Sequence, residues 1–409
     1  MYESKTKRWS LLFFVLGISI MMSSGCNTSE APFLLNTVYV RAKKNEGLGE
    51  LNAAQQKNLA DTLNAIFGTP DTPELPQIAG VDFPGLVDLE KLRVAAGPVG
   101  RNESGRELGL YRKHCVHCHG ITGDGAGPTA SFLNPYPRDY RRGTFKFKST
   151  KGTDRPTHED LSRILVQGIP GTAMPSFRIL DEGELDSLVH YVRYLGIRGE
   201  LERRLIETAA DELEDEELFL DLDQPGSGIF QERVSLIKEE LAAIVDSWTE
   251  TQVTEVPPPP VDWGSDASIA TGKKWFFSST TNCSKCHGDT ALGDGQTNDY
   301  DEWTKDWTLK VNVNPLEDLE KIREYERLGA LHPRNARPRN LRQGIYRGGR
   351  RPIDLYWRIK QGIAGTPMPA ASSQLSDDDI WHVIDYVMTL PYDALSKPQN
   401  VPENQREIR

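Results

Sequence analysis

Cysteine is scarce in this chain of 409 residues: there are five. Methionine numbers six and histidine eight; a zinc knot would need further cysteines or histidines in a matching arrangement beside each cysteine pair. Long apolar runs are scarcer still. The one candidate, Trp9 to Met22, has 14 residues, short of the roughly 20 needed to cross a bilayer core of about 30 Å. No other stretch is long and apolar enough to span a membrane. Basic charge is in deficit, with 48 Lys and Arg against 59 Asp and Glu, a formal net charge of -11. That balance disfavours a nucleic-acid partner and suits basic docking partners or plain solubility. The length allows two or three domains.

What is present begins with a leader. Lys5, Lys7 and Arg8 precede the apolar run, which has the size of a signal-peptide core. Ser23, Ser24, Gly25 and Cys26 follow. Small residues before a lone cysteine resemble the cleavage box of bacterial lipoproteins, although Ser23 stands where leucine is usual. Cys26 is therefore the expected lipidation site; the alternative is an ordinary signal peptide or an uncleaved anchor. Each version exports the protein, and the expected location is the periplasmic side of the membrane, with a lipid anchor at the N-terminus.

The remaining cysteines are Cys115, Cys118, Cys283 and Cys286. Four cysteines in an exported chain first suggest two disulfides, but the spacing points elsewhere. Residues 115–119 read Cys-Val-His-Cys-His and residues 283–287 read Cys-Ser-Lys-Cys-His. Both are C-x-x-C-H, the attachment signature of c-type haem. On a helical turn, residues i, i+3 and i+4 share a face, so both thiols reach the two vinyl groups of one porphyrin. The next side chain, His119 or His287, comes up beneath the iron. A thioredoxin-like redox pair needs no histidine at that position.

A sixth iron ligand is expected from methionine, whose soft thioether favours ferrous iron. After the leader only Met174, Met368 and Met388 remain. Residues 167–175 read Q-G-I-P-G-T-A-M-P and residues 361–369 read Q-G-I-A-G-T-P-M-P. The Gly and Pro content marks a loop of fixed turns able to hold Met174 or Met368 at a defined place. Met388 falls in an apolar helical pattern and reads as core. His114, His117, His158, His190, His332 and His382 lack any comparably repeated context.

The repetition extends further. G-D-G occurs at 123–125 and 293–295, and a Pro-Arg turn reads P-R-D-Y-R-R-G-T-F-K at 137–146 and P-R-N-L-R-Q-G-I-Y-R at 338–347. Short helices are predicted from Asp160 to Gly168 and from Ile353 to Gly362. Amphipathic helices over 184–195 and 379–390 close the two units. The organisation read from this is a leader at 1–26, a partly helical N-terminal extension at 27–103 with a helix from Ala53 to Phe67, and a first unit at 104–197. An acidic helical linker at 198–267 ends in the stiff Pro257–Pro260 spacer. A second unit covers 268–392, with an insert at 299–337 read as surface elaboration rather than a flap, and a polar tail covers 393–409.

The two units, over 104–197 and 268–392, resemble class I cytochrome c domains, and together they resemble the di-haem cytochromes c. The resemblance implies an all-α fold: two small helical haem domains in each of which terminal helices cross and the haem is wedged between attachment helix and methionine loop. It implies two haem c groups, ligated by His119 and Met174 and by His287 and Met368. It also implies a proline carbonyl accepting a hydrogen bond from the proximal histidine. Pro128 fits that role for His119; the second unit has Q-T-N there and no matching proline. Arg138 and Arg339, which repeat in register, are expected at haem propionates, whereas Arg141, Arg142 and Arg342 read as surface charge.

The expected function is electron transfer, as a periplasm-facing carrier or as the relay subunit of a respiratory complex. Partners are other redox proteins or a membrane complex, and no catalytic residue is assigned. The competing class is a di-haem enzyme, a peroxidase or small-molecule dehydrogenase, which needs an accessible iron position that two matching methionine loops argue against.

Overall fold

The structure is a computed structural model describing residues 30–77, 81–83, 85–221, 223–309 and 312–392. The leader, Cys26 and the tail from 393 lie outside the described residues. The chain divides after Pro32 into two units, and every described helix lies in the second. Fourteen α-helices, three single-turn 3-10 helices and one ribbon of two two-residue strands, Gly100–Arg101 and Glu107–Leu108, make up the regular structure described, so the fold is all-α. No helix among the described residues is long and apolar enough to cross a membrane.

The N-terminal extension forms α1 (Thr37–Asn45), α2 (Ala53–Phe67) and α3 (Leu89–Ala95). Helix α2 spans the residues predicted, started by a capping box between Asn52 and Gln55 and ended at Gly68. The first C-x-x-C-H lies across two short helices, α4 (Leu110–His114) and α5 (Val116–His119). Helix α6 (His158–Gln167) leads into the first methionine loop, and α7 (Glu182–Glu212) follows it.

Helix α7 runs well past the 184–195 expected of the closing helix. Asp181 and Glu184 form its capping box, and the helix continues through Gly196 and Gly199 for 31 residues to Glu212. Its apolar face continues through Leu201, Leu205, Ile206 and Ala209, all buried. It packs on α1, α2, α3 and α6 and on α8 (Gly228–Thr249). One hydrophobic core therefore runs from Phe33 to Trp248, joining the extension, the first unit and the acidic segment. The acidic stretch Asp211–Glu217 itself is largely exposed, as expected of a solvated face.

Two polar groups are sealed in this core. Arg198 and Glu202, one turn apart on α7, are 1% and 0% exposed, with Nη1 and Oε2 3.5 Å apart. Glu202 Oε1 accepts the Asn36 backbone N–H at 2.9 Å, and the Arg198 guanidinium lies 4.3 Å from the centre of the Phe33 ring.

The second unit has a core of its own. Helix α9 (Asp266–Phe276) leads to the second motif, α10 (Cys283–His287). Helix α13 (Pro352–Gln361) precedes the second methionine loop and α14 (Asp377–Thr389) closes the unit. Helices α9 and α14 cross closely, because a β-carbon at Gly272 would collide with the His382 carbonyl oxygen. The first unit builds this crossing differently: its attachment segment is preceded only by the five residues of α4, and α3 from the extension lies on α7.

The 299–337 insert is not a loose surface elaboration. It forms α11 (Glu302–Trp307) and α12 (Leu319–Arg327), whose Trp307, Ile322 and Tyr325 make a small core with Ala42 of α1. Tyr325 OH accepts a hydrogen bond from Asn45 at 2.7 Å, and Arg334 donates to the carbonyls of Leu133 and Ser131 at 2.7 and 2.6 Å. The insert of the second unit thus clasps both the extension and the first unit. The Pro-rich spacer is likewise held: Trp381 donates from Nε1 to the Pro257 carbonyl at 3.0 Å.

Candidate functional site

The four cysteines of the two motifs form no disulfide with one another. Cys115 is buried and Cys118, Cys283 and Cys286 are half-buried. Burial pushes the Cys115 thiol up to about 12 and raises Cys283 as well. A thiol–disulfide catalyst needs a lowered thiol pKa, so the first cysteine of each pair is tuned away from that chemistry.

The helical turns place His119 and His287 directly after the second cysteine of each pair, and a backbone carbonyl then fixes each ring. His119 Nδ1 lies 3.0 Å from the Arg138 carbonyl oxygen, and His287 Nδ1 lies 3.2 Å from that of Arg339. A carbonyl only accepts, so Nδ1 carries the proton and Nε2 keeps its lone pair. Burial lowers His119 to about 4, and lowers His287 too, which keeps both imidazoles neutral at neutral pH. A neutral imidazole with a fixed tautomer and an available Nε2 is the form that ligates a metal.

This corrects the expectation for Pro128. The acceptor lies in the Pro-Arg turn, ten residues further along, and the second unit uses the equivalent residue without needing a proline after its motif. Close approach makes it possible. A β-carbon at Gly125 would sit 2.8 Å from the Pro137 carbonyl oxygen, and one at Gly293 would collide with that of Pro338. Both glycines have positive φ, 73° and 79°. Their N–H groups bond the carbonyls of His119 and His287 at 2.9 and 2.8 Å. The structural partner of Gly125 is therefore Gly293, not Gly295, and the two G-D-G strings are out of register by two residues. Gly123 corresponds to Ala291: their carbonyls accept from Tyr140 and Leu341, and Ala291 takes a positive φ of 59°.

The turn that presents the Arg138 carbonyl rests on α7. A β-carbon at Gly199 would collide with Arg141 Cα, and one at Gly196 would lie 2.9 Å from Trp248. Arg141 pairs with buried Asp139 at 3.0 Å, and Arg342 donates to the Leu390 carbonyl at 3.1 Å. Neither acts as the free surface charge expected; both brace the turns. Beside them Tyr140 stacks on the His119 ring, centroids 4.7 Å apart, where the second unit has Leu341.

The two methionine loops share one hydrogen-bond pattern. In the first, the Ile169 N–H bonds the Met174 carbonyl at 3.1 Å and the Met174 N–H bonds Thr172 Oγ1 at 3.1 Å. In the second, Ile363 bonds the Met368 carbonyl at 3.1 Å and Met368 bonds Thr366 Oγ1 at 3.3 Å. Both methionines are half-buried. Met388 packs against the second core, as read.

The other histidines are engaged elsewhere or exposed. His114 meets Phe177 edge to face, His332 pairs with Glu326 at 2.8 Å, His382 pairs with Asp262 at 3.1 Å, and His117 is exposed. His158, His190 and Asp186 cluster closely enough for a metal. However, His190 Nδ1 accepts the Asp88 N–H at 3.1 Å, and the Lys91 ammonium sits on Asp186 at 2.5 Å. A resident cation opposes a second one, so this cluster is a structural polar contact.

Paired thiols, an oriented neutral imidazole and a preformed sulfur loop, present twice, define a protein that binds a porphyrin covalently. The family model for cytochrome c matches residues 107–196 and 269–391, more than half of the chain, and the chain belongs to the cytochrome c family. Such domains carry covalently bound haem c with its iron and serve haem-based electron transfer. No curated protein matches the chain significantly. A solved structure from the Kuenenia stuttgartiensis reducing HAO-like protein complex aligns over 72% of this chain and 98% of its own, at 25% identity and a TM-score of 0.46.

Proposed function

We propose that the chain carries two haem c groups, each ligated by histidine and methionine, and moves electrons between redox partners on the periplasmic side of the membrane. Cys115, Cys118, His119 and Met174 would hold one, and Cys283, Cys286, His287 and Met368 the other. The observation that supports this best is the repeat of the whole arrangement: the same carbonyl orients each histidine and the same threonine-braced loop carries each methionine.

When bound, haem supplies the one-electron redox step. The chain's own residues set its conditions. The Arg138 and Arg339 carbonyls hold the imidazoles as Nε2 donors, the loops supply the thioethers, and burial excludes water from His119. Two different surroundings, Tyr140 beside one imidazole and Leu341 at the equivalent place, give the two sites different potentials. A leader bearing Cys26 as lipid anchor would keep this relay near membrane complexes that donate or accept electrons.

The test is the absorption spectrum of the oxidised protein. The expected result is a methionine–iron charge-transfer band at the red end with the intensity of two haems, unchanged by peroxide. A high-spin haem, or a spectrum altered by peroxide, contradicts the carrier and supports a di-haem enzyme.

A further inference from the structure

The two units touch through equivalent residues. Positions 138 and 339, 144 and 345, 146 and 347, and 147 and 348 correspond in the Pro-Arg turns, a constant offset of 201 residues. In the helices and loops bearing the methionines the offset is 194, so 163 corresponds to 357 and 171 to 365.

Each Pro-Arg turn lies against the other unit's methionine loop. A β-carbon on Gly171 would sit 2.9 Å from Arg339 Nη2 and 3.1 Å from Ile345 Cγ2. A β-carbon on Gly365 would sit 3.2 Å from Arg138 Nη1 and 3.6 Å from Thr144 Cγ2. The same two positions of one turn meet the same glycine of the opposite loop, in both directions. Contacts between equivalents mark the centre: Phe147 lies against Gly348, and the Arg163 guanidinium lies 5.2 Å from the centre of the Trp357 ring. Residue i meeting j while j's equivalent meets i's is the signature of an isologous contact about a twofold axis.

The seam is cationic. Arg138, Lys146, Arg339 and Arg347 are half-buried there, and none makes an ion pair within 4 Å among the described residues. Arg339 bonds the Ile345 carbonyl at 2.9 Å and Gln343 at 3.0 Å, while Arg347 Nε is buried without a partner. Desolvation pulls Lys146 down to about 7, with Arg138 and Arg347 lowering it further and Asp301 opposing. Gathered cations with no carboxylate in ion-pair contact, Asp301 acting only at longer range, are suited to anionic groups supplied from elsewhere, and guanidinium forks fit carboxylates.

We propose that the two units form an intramolecular pseudo-dimer about this axis, in which Arg138 and Arg339 act across it, each positioning the other unit's methionine loop and facing haem propionates, so that the two haems titrate as a coupled pair. This rests on the two-haem reading above. Each arginine then has two duties: its carbonyl fixes the histidine of its own unit, and its guanidinium supports the methionine of the other.

The experiment compares Arg339→Gln with Arg337→Gln, an exposed position carrying the same charge change. Hydrogen exchange by mass spectrometry reads the peptide 168–175, which belongs to the other unit and needs no haem to report. Several-fold faster exchange there in Arg339→Gln, and not in Arg337→Gln, is the expected result; equal exchange in the two variants overturns the proposal. In holoprotein, the midpoint potential of the haem on Cys115 and Cys118 should fall in Arg339→Gln, because a lost cation disfavours the more negative reduced state. A shift confined to the haem on Cys283 and Cys286 overturns it. Should the variant lose haem, the half-reduced native protein answers instead. The NMR signals of the haem still ferric must move when its neighbour is reduced; signals that stay fixed overturn the proposal. Absence of haem from the native protein sinks the two-haem reading and leaves the exchange result standing.

Discussion

Replacing Met174 with alanine is expected to lower the midpoint potential of one haem by on the order of 0.1 V or more, a fraction of the roughly 0.8 V that axial ligands span. A thioether favours ferrous iron, and alanine leaves water or a stronger donor in its place. The loop itself should survive, because its hydrogen bonds run through Thr172 and the residue 174 backbone rather than through sulfur. Met368→Ala should do the same to the other haem. Met388→Ala, which removes a side chain packed on the second core, should change stability and leave both potentials in place. Potentiometric titration of the three variants checks this. Potentials that ignore Met174 and Met368, or that respond to Met388, contradict the assigned ligands.

Glu202→Ala is expected to destabilise the native state by about 3–5 kcal/mol, the cost of stripping a buried charge of its partner. Arg198 and Glu202 are sealed in the core, and the three guanidinium nitrogens find no hydrogen-bond partner. Without Glu202 the guanidinium keeps only the Phe33 ring face, and the Asn36 N–H loses its acceptor. Replacing both residues with leucine should recover most of the loss, since a well-packed apolar pair often equals a buried ion pair. Denaturant unfolding of the single and double variants measures this. A single variant within 1 kcal/mol of the native protein contradicts the burial argument.

The helices and the two attachment motifs were legible because their signals are local. Asn52 and Gln55 announce the start of α2, and C-x-x-C-H names its own chemistry within five residues. What was not legible depends on the backbone and on distance along the chain. The acceptor for His119 lies 19 residues away and that for His287 lies 52 away. A carbonyl has no residue signature, so the nearest proline, Pro128, drew the assignment. Arg138 and Arg339 show in the sequence as side chains that repeat in register, whereas the role of their carbonyls leaves no mark there. The G-D-G strings matched as letters while their hydrogen bonds align two residues apart. Helix α7 overran its expected end because its apolar periodicity continues past Leu195 onto partners, α1 and α8, that only the tertiary structure brings together. The insert's packing is hidden for the same reason: Trp307 and Tyr325 find their cover in Ala42, more than 260 residues earlier.

The fold, then, assembles two similar cytochrome c units and ties them with an extension, a long shared helix and a clasp. The claim beneath this account is that each C-x-x-C-H holds a haem by two thioether bonds. The mass of the intact, mature protein under denaturing conditions tests it most directly. The account predicts a chain heavier by two haem groups that no unfolding removes, by one in a Cys115→Ser/Cys118→Ser variant, and by one in the matching Cys283→Ser/Cys286→Ser variant. A mature chain with the mass of the polypeptide alone, or one whose added mass is indifferent to these cysteines, contradicts it.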